Sequence, residues 1–269
     1  MASADVFKRM FKGVSLEIED LYLLEAFQIA YFPGGVQERQ LAAVLWAYPA
    51  IHRYLTKRCP SIHGFLERVL EEHEPAKDKE DLAACGEELV WSMADWLVYN
   101  KCPEAYDQLE FHHWDFHEIT SITGLEGKRV VDGGSGTGRV ALEAAPTAGQ
   151  VYAVEPVARL RSFIRKKAVK ADLGNLFVID GFLHTIPLPD RFADVLITSH
   201  ALGWTLEDEL AEFERVVRQG GYIIHCPGTA ECAAEEDTHR RLVSEEWGYA
   251  HARYQEADGW KRKYWKECQ

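Results

Sequence analysis

The stretch Val130-Val131-Asp132-Gly133-Gly134-Ser135-Gly136-Thr137-Gly138 decides how this chain is read. Two β-branched residues run into an acid and then into alternating glycines, Gly134, Gly136 and Gly138, which let backbone turn sharply out of a strand and approach a ligand with no Cβ in the way. Glu155 stands 23 positions after Asp132 and closes a second apolar run that begins at Val151. An acid at the end of that next strand is placed to take both hydroxyls of a ribose. Loop and acid together predict a nucleoside-cofactor site on an α/β sheet.

The dinucleotide fingerprint is the rival reading, and it needs glycines at relative positions 1, 3 and 6. Counted from Gly134 the sixth position is Arg139, so that pattern fails. Asp132-x-Gly134-x-Gly136-x-Gly138 instead resembles the first motif of the class I S-adenosylmethionine-dependent methyltransferases, and the likeness runs from about Tyr106 to the C-terminus. The resemblance implies an α/β fold of Rossmann-like type, doubly wound on a mostly parallel seven-stranded sheet whose last strand is antiparallel. It also implies S-adenosyl-L-methionine as cofactor.

Carried over residue by residue, the resemblance assigns cofactor contact to Asp132, Gly134, Ser135, Gly136 and Gly138 in the loop, and to Glu155 with Pro156 after the second strand. Tyr106-Asp107 resembles a tyrosine-acid pair in the family's lid. Asp180, Gly181 and Phe182 follow the third strand, Leu176 to Asp180, and Ser199 follows the fourth, Val195 to Thr198. The sequence departs from the family here. The acid that meets the adenine amino group in many relatives is expected at Phe182, and Asp180 lies two residues upstream, so either Asp180 takes that role or Phe182 packs on the ring. A second departure is Gln219, where a proline usually precedes the Gly220-Gly221 pair.

Later segments fit the same order. Thr205-Leu-Glu-Asp208 has a capping-box pattern, and Leu206, Leu210, Phe213 and Val217 give the spacing of a helix lying on a sheet. Gly220-Gly221 is expected to end that helix and open a fifth strand, Tyr222 to Cys226, with His225, Cys226 and Pro227 at its close, where they either touch the acceptor or simply close the sheet. Tyr249 to Gln255 and Trp260 to Glu267, joined through Asp258-Gly259, read as a terminal hairpin. Lys261, Arg262 and Lys263 with Trp260, Tyr264 and Trp265 read either as a basic-aromatic surface for an anionic acceptor or, with lysines on an exposed sheet edge, as guards against aggregation.

At 269 residues, 47% apolar and 27% charged, the chain is long enough for one large or two modest domains with a buried core. Its net charge of −13 argues against nucleic acid as a partner, because phosphate binding relies on dense Lys and Arg. The basic run Arg159, Arg161, Arg165, Lys166, Lys167 and Lys170 reads as the solvated face of a helix. No apolar run is long enough to cross a bilayer and the first residues do not resemble a signal peptide, so no membrane partner and a cytoplasmic location are expected. Six cysteines without a Cys-x-x-Cys pair fit reduced thiols, and Cys59 with His63 supplies only two metal donors, so no metal site is expected.

Residues 1–105 read as a helical N-terminal region and 106–269 as the cofactor-binding domain. Leu16 to Tyr31, Gln37 to Tyr48 and Asp81 to Tyr99 carry apolar residues three and four apart, a new helix is expected at Pro49, and the charge-dense Glu72 to Asp81 reads as a linker. Trp46, Tyr48, Trp91, Trp96 and Tyr99 read as core, with the wall of a pocket as the alternative. In the family an appended helical segment commonly caps the cofactor cleft, which implies a role in choosing the acceptor.

A sulfonium methyl is already electrophilic, so the protein's task is to align an acceptor and exclude water, with a base only if the acceptor loses a proton. His200, at the carboxyl end of the fourth strand, is the first candidate for base or orienting group, against simple capping of loop backbone. His113, in the run Phe111-His-His-Trp-Asp-Phe116 before His117, is the second; His112, His113 and His117 carry only a weak metal pattern. Arg139 stands where it either meets the cofactor carboxylate or faces solvent. The expected reaction is methyl transfer to a small-molecule acceptor. A non-catalytic sensor of the cofactor, a partner-binding protein and a protein methyltransferase are the alternatives, and a homodimer stays open.

Overall fold

The computed structural model describes residues 4–226, 233–256 and 259–269. Pro227, Cys232 and Asp258 lie outside the described residues. The chain divides into two compact units, Met1–Leu109 and Glu110–Gln269. The division falls four residues beyond the one read from sequence, so Tyr106 belongs to the first unit.

Every secondary-structure element among the described residues of the first unit is a helix or 3-10 turn. Its core gathers Leu21, Leu24, Ile29, Phe32, Leu41, Leu55, Leu66, Leu89 and Leu97, all fully buried. Each such side chain contributes roughly 1.5–3 kcal/mol when removed from water. Two segments expected to be continuous are broken. Leu16 to Tyr31 splits into a 3-10 turn, Ile18–Leu23, and a short helix, Ala26–Ala30, and Glu25 starts the second piece with a capping box through Gln28. The Lys79–Ser92 helix gives way at Met93 to Ala94–Lys101. Helices do begin at Pro49 and after the loop preceding Lys79, where the Asp78 carboxylate accepts the Asp81 N–H at 2.8 Å. The aromatic residues are mixed rather than uniformly core: Trp91 is buried, while Trp46 is 48% exposed.

The second unit is a seven-stranded sheet: β1 Arg129–Gly133, β2 Gln150–Val154, β3 Leu176–Ile179, β4 Ala193–Thr198, β5 Val217–His225, β6 Ala250–Glu256 and β7 Gly259–Glu267. Strand order is β3-β2-β1-β4-β5-β7-β6. The first five strands are parallel, and β7 is antiparallel to both β5 and β6. Parallel strands are covered on both faces and therefore read as unbroken apolar runs. Val130, Val151, Val195, Ile197 and Ile224 pack on one face; Val131, Val154, Leu196, Ile223, Leu210 and Phe213 pack on the other. The order reverses between β1 and β4, and ligands of open α/β sheets bind beyond the carboxyl ends of strands at such a reversal.

Three local expectations fail for identifiable reasons. The Leu206–Val216 helix forms as spaced, but Thr205 makes no side-chain cap; the buried carboxylate of Glu209 accepts the backbone N–H groups of Gly203, Trp204 and Thr205 instead. Gly220-Gly221 does not separate helix from strand. β5 already starts at Val217, and the pair lies inside it, Gly220 at φ +71, where the register against β4 jumps from Ala193–Val217 to Val195–Tyr222. Lys261 and Lys263 are not edge guards, because β7 is interior and both are buried. Lys263 Nζ donates to the Glu118 carbonyl at 3.0 Å, the Glu118 carboxylate at 2.7 Å and Ser121 Oγ at 2.9 Å, anchoring the segment before β1.

Candidate functional site

Backbone leaves β1 through Gly134 at φ +67, Gly136 at φ +54 and Gly138 at φ +85, all left-handed. At Gly134 the need is double: a Cβ there would stand 2.5 Å from Cβ of Ala201, in the loop after β4. Gly134 N–H and Ser135 N–H both donate to the Val154 carbonyl at 3.0 Å, which folds the loop back over the end of β2. Ser135 Oγ donates to the Asp132 carbonyl at 2.8 Å. Asp132, 1% exposed, accepts the Ala141 N–H at 3.0 Å and so ties β1 to the first turn of the Arg139–Ala144 helix.

Glu155 directly follows β2 and is 4% exposed. One of its oxygens accepts the Gly136 N–H at 2.8 Å and the other accepts the Val157 N–H at 2.8 Å. Each oxygen keeps a further lone pair for an acceptor role. Burial pushes both acids up to about 7, Asp132 despite the Ser135 and Ala141 hydrogen bonds and Glu155 despite two backbone donors and nearby Arg161. Buried carboxyl oxygens with lone pairs to spare beside a glycine loop suit a ligand that brings hydroxyl donors, and positive charge on that ligand would favour their ionised form. The set therefore fits the adenosyl-sulfonium group that the sequence resemblance implies.

The basic helix after Glu155, Ala158–Lys170, is less solvated than its sequence suggests. Arg161, with a side chain 12% exposed, donates to the carbonyls of Glu155 at 2.8 Å and Pro156 at 2.6 Å and meets the Asp180 carboxylate at 3.0 Å. Arg165 reaches the Val178 carbonyl and Lys167 the Thr137 carbonyl. Arg161 thus clamps the ends of β2 and β3, a role the sequence reading missed. Only the turn at Pro156 puts a helix residue six positions later back over Glu155, and no local pattern announces that.

The remaining sequence candidates are placed as follows. Asp180 is exposed and holds Arg161. Phe182 is half-buried and stacks on His184 with ring centroids 5.4 Å apart, and Gly181 sits beside Pro187 and Val154. Ser199 and His200 follow β4. His200 is exposed at φ +53, with its ring edge-on to Phe111 at 5.2 Å. His113 is exposed, with its backbone N–H on the Glu110 carbonyl. Tyr106, within the first unit, packs edge-on against Tyr99 at 4.5 Å. Arg139 serves neither sequence expectation: it donates to the carbonyls of His112 at 2.9 Å and Trp114 at 2.8 Å, pinning the stretch before β1 to the helix after the glycine loop.

Beneath the ends of β4 and β5 lies a buried polar pair. Thr198 Oγ1 and His225 Nδ1 are 2.7 Å apart, and burial drives His225 down to about 3, so its ring is neutral. Phe213 and Tyr249 pack against that ring, on the face away from the glycine loop's helix. His225 closes the sheet there.

Comparisons with known proteins agree with this architecture. A family model described as "Methyltransferase domain" matches residues 131–225, from within β1 to the end of β5. A protein of Geobacillus kaustophilus named as an uncharacterized methyltransferase is 26% identical over 147 residues, 52% of this chain and 66% of that protein. One of Anoxybacillus flavithermus, named likewise, is 23% identical over 140 residues, 47% of this chain and 64% of that protein. The chain thus spans slightly less than two thirds of the length of these curated relatives. The crystal structure of a SAM-dependent methyltransferase from Aquifex aeolicus superposes with a TM-score of 0.50 at 20% identity, covering 60% of this chain and 96% of that one. The sheet unit has the class I methyltransferase fold, and family model and relatives support the same family.

Proposed function

We propose that this class I methyltransferase fold transfers a methyl group from S-adenosylmethionine to a small-molecule acceptor. The observation that carries the reading is the buried Glu155 carboxylate, bonded at once to the glycine loop through Gly136 and to the turn after β2 through Val157. Family model, relatives and fold support both the cofactor and the transfer. The acceptor class rests on the charge of −13, which opposes a polyanionic substrate.

The bound cofactor would supply a methyl carbon made electrophilic by its sulfonium. Glu155 would accept the ribose hydroxyls, and the loop from Gly134 to Gly138 would let backbone lie close to the rest of the ligand. Phe182, three residues beyond β3, offers a ring face for the adenine, because Asp180 is engaged by Arg161. Ser199 and His200, at the carboxyl end of β4, would orient the acceptor, and His200 would take its proton where one is lost. His113 is a second candidate for that task. The helical unit, Met1–Leu109, would select the acceptor, as appended helical segments do in this family.

Calorimetry with S-adenosylmethionine and S-adenosylhomocysteine, followed by transfer of labelled methyl across pools of small acceptors, tests the proposal. Saturable binding with a labelled small product supports it. Binding with no product from any pool would mark a sensor, and label in macromolecules would mark a protein methyltransferase.

A further inference from the structure

We propose that the helical unit carries a divalent transition-metal site, built from His52, His63 and Glu67, that fastens two of its helices together. His52 lies on the Pro49–Arg58 helix, and His63 and Glu67 lie one turn apart on the His63–Glu72 helix. The tight turn Pro60–Ile62 reverses the chain between them and brings the two faces together. His52 Nε2, His63 Nδ1 and one Glu67 oxygen all lie within 4.8 Å of one another.

The spacing is that of ligands around a small ion. Tetrahedral donors at about 2.0–2.1 Å from zinc are roughly 3.3 Å apart. His52 Nε2 is 3.3 Å from Glu67 Oε1, and His63 Nδ1 is 3.8 Å from the same carboxylate. His52 Nε2 is a buried atom with no hydrogen-bond partner, although the carboxylate is beside it. A buried nitrogen left without a bond costs free energy, and a metal would satisfy it through its lone pair. Two imidazoles and one carboxylate favour zinc and its transition-metal neighbours over magnesium or calcium, which prefer all-oxygen shells.

The neighbouring group of Glu38, Glu72 and His73 is a useful contrast. It has comparable spacing, but the Arg68 guanidinium already bridges Glu38 at 2.8 Å and Glu72 at 2.5 Å, so its charge is met by the protein. His63 and Glu67 have side chains 60% and 48% exposed, which leaves the open positions of the proposed ion to water. Such a site is structural, a clasp between helices rather than a reaction centre.

Titration of the full chain with Zn²⁺, Mg²⁺ and Co²⁺ tests this. One equivalent of Zn²⁺ should bind and raise Tm by at least ~2 °C, with Mg²⁺ inert at the same concentration. Co²⁺ should give ligand-field bands without the thiolate charge transfer that Cys59, two residues after Lys57 on the neighbouring turn, would produce. His63→Ala and Glu67→Gln sit on exposed positions that leave the core intact, and each should weaken Zn²⁺ binding at least ~10-fold. Absence of zinc binding, unchanged affinity in both variants, or a cobalt-thiolate band would each overturn the proposal.

Discussion

Glu155 and Gly136 are joined by a 2.8 Å hydrogen bond from the loop after β1 to the acid after β2. Two strands that are neighbours in the sheet therefore share one polar contact at their carboxyl ends, and the loop is held before any ligand arrives. Losing that contact and losing the proposed ribose acceptor are the same substitution. Glu155→Ala should weaken S-adenosylmethionine binding by about 1–3 kcal/mol, the scale for a hydrogen-bonded charged group, with the circular dichroism spectrum retained. Unchanged affinity by calorimetry would remove Glu155 from the site.

Binding should also release protons. Glu155 is raised by burial to about 7, so near that pH it is partly protonated, and a cationic ligand beside it drives it to the carboxylate. Affinity should rise with pH through about 7 and level off above. Calorimetry at pH 7 in two buffers of different ionisation enthalpy would give different apparent enthalpies; identical values would contradict this assignment.

His225 should make the protein acid-sensitive. Its folded value is depressed to about 3 from 6.5, so the unfolded chain binds the proton more readily and stability falls as pH drops from 6.5 towards 3. Buried Asp132 and Glu155 act in the opposite sense, since values raised to about 7 favour the folded state as pH falls from 7 to the ordinary carboxylate range. Replacing His225 with Phe should reduce the acid-side slope by up to about 1.4 kcal/mol per pH unit in urea titrations. A slope equal to wild type would mean that the ring is not neutral and buried.

Gly134→Ala should destabilise the sheet unit more than Gly127→Ala. Both positions are left-handed, at φ +67 and φ +70, and share a backbone cost of about 1–2 kcal/mol. Only Gly134 adds a collision, with Ala201 at 2.5 Å, whereas nothing lies within 4 Å of a Cβ at Gly127. Equal losses in chemical denaturation would show that the loop after β4 moves aside freely.

His200→Ala should leave cofactor affinity within about twofold of wild type and lower kcat by about 10²-fold or more if the imidazole takes the acceptor's proton. The pH–rate profile should lose its basic-group limb as well. Unaltered turnover would return His200 to the support of its loop, where its φ of +53 already places it among the residues that tolerate left-handed turns.

Glycine spacing, the acid 23 residues on and the run of buried strands were legible because each is a local consequence of chain geometry: parallel strands must be apolar on both faces, and a loop that turns left-handed needs glycine. The segment after β3 was less legible, since Asp180 lies two residues away from the acid's usual place in the family it resembles and its partner, Arg161, comes from a different element. Lys263, 145 residues from Glu118, looked like an edge lysine because a strand's neighbours cannot be read from the strand itself. Arg139 was misread, and Glu209 taking the place of the expected Thr205 cap went unforeseen, for a similar reason: loop carbonyls and N–H groups are satisfied by whichever charged side chain the tertiary packing brings near. What the sequence by itself determined is the run of strands, the glycine loop and the acid after the second strand, set by short-range sterics and periodicity, while the order of the sheet was implied by the family resemblance. Tertiary structure alone decided which charged groups are buried, which of them hold the backbone in place and that His52 faces His63 and Glu67, because those depend on elements meeting across distances that no local pattern encodes.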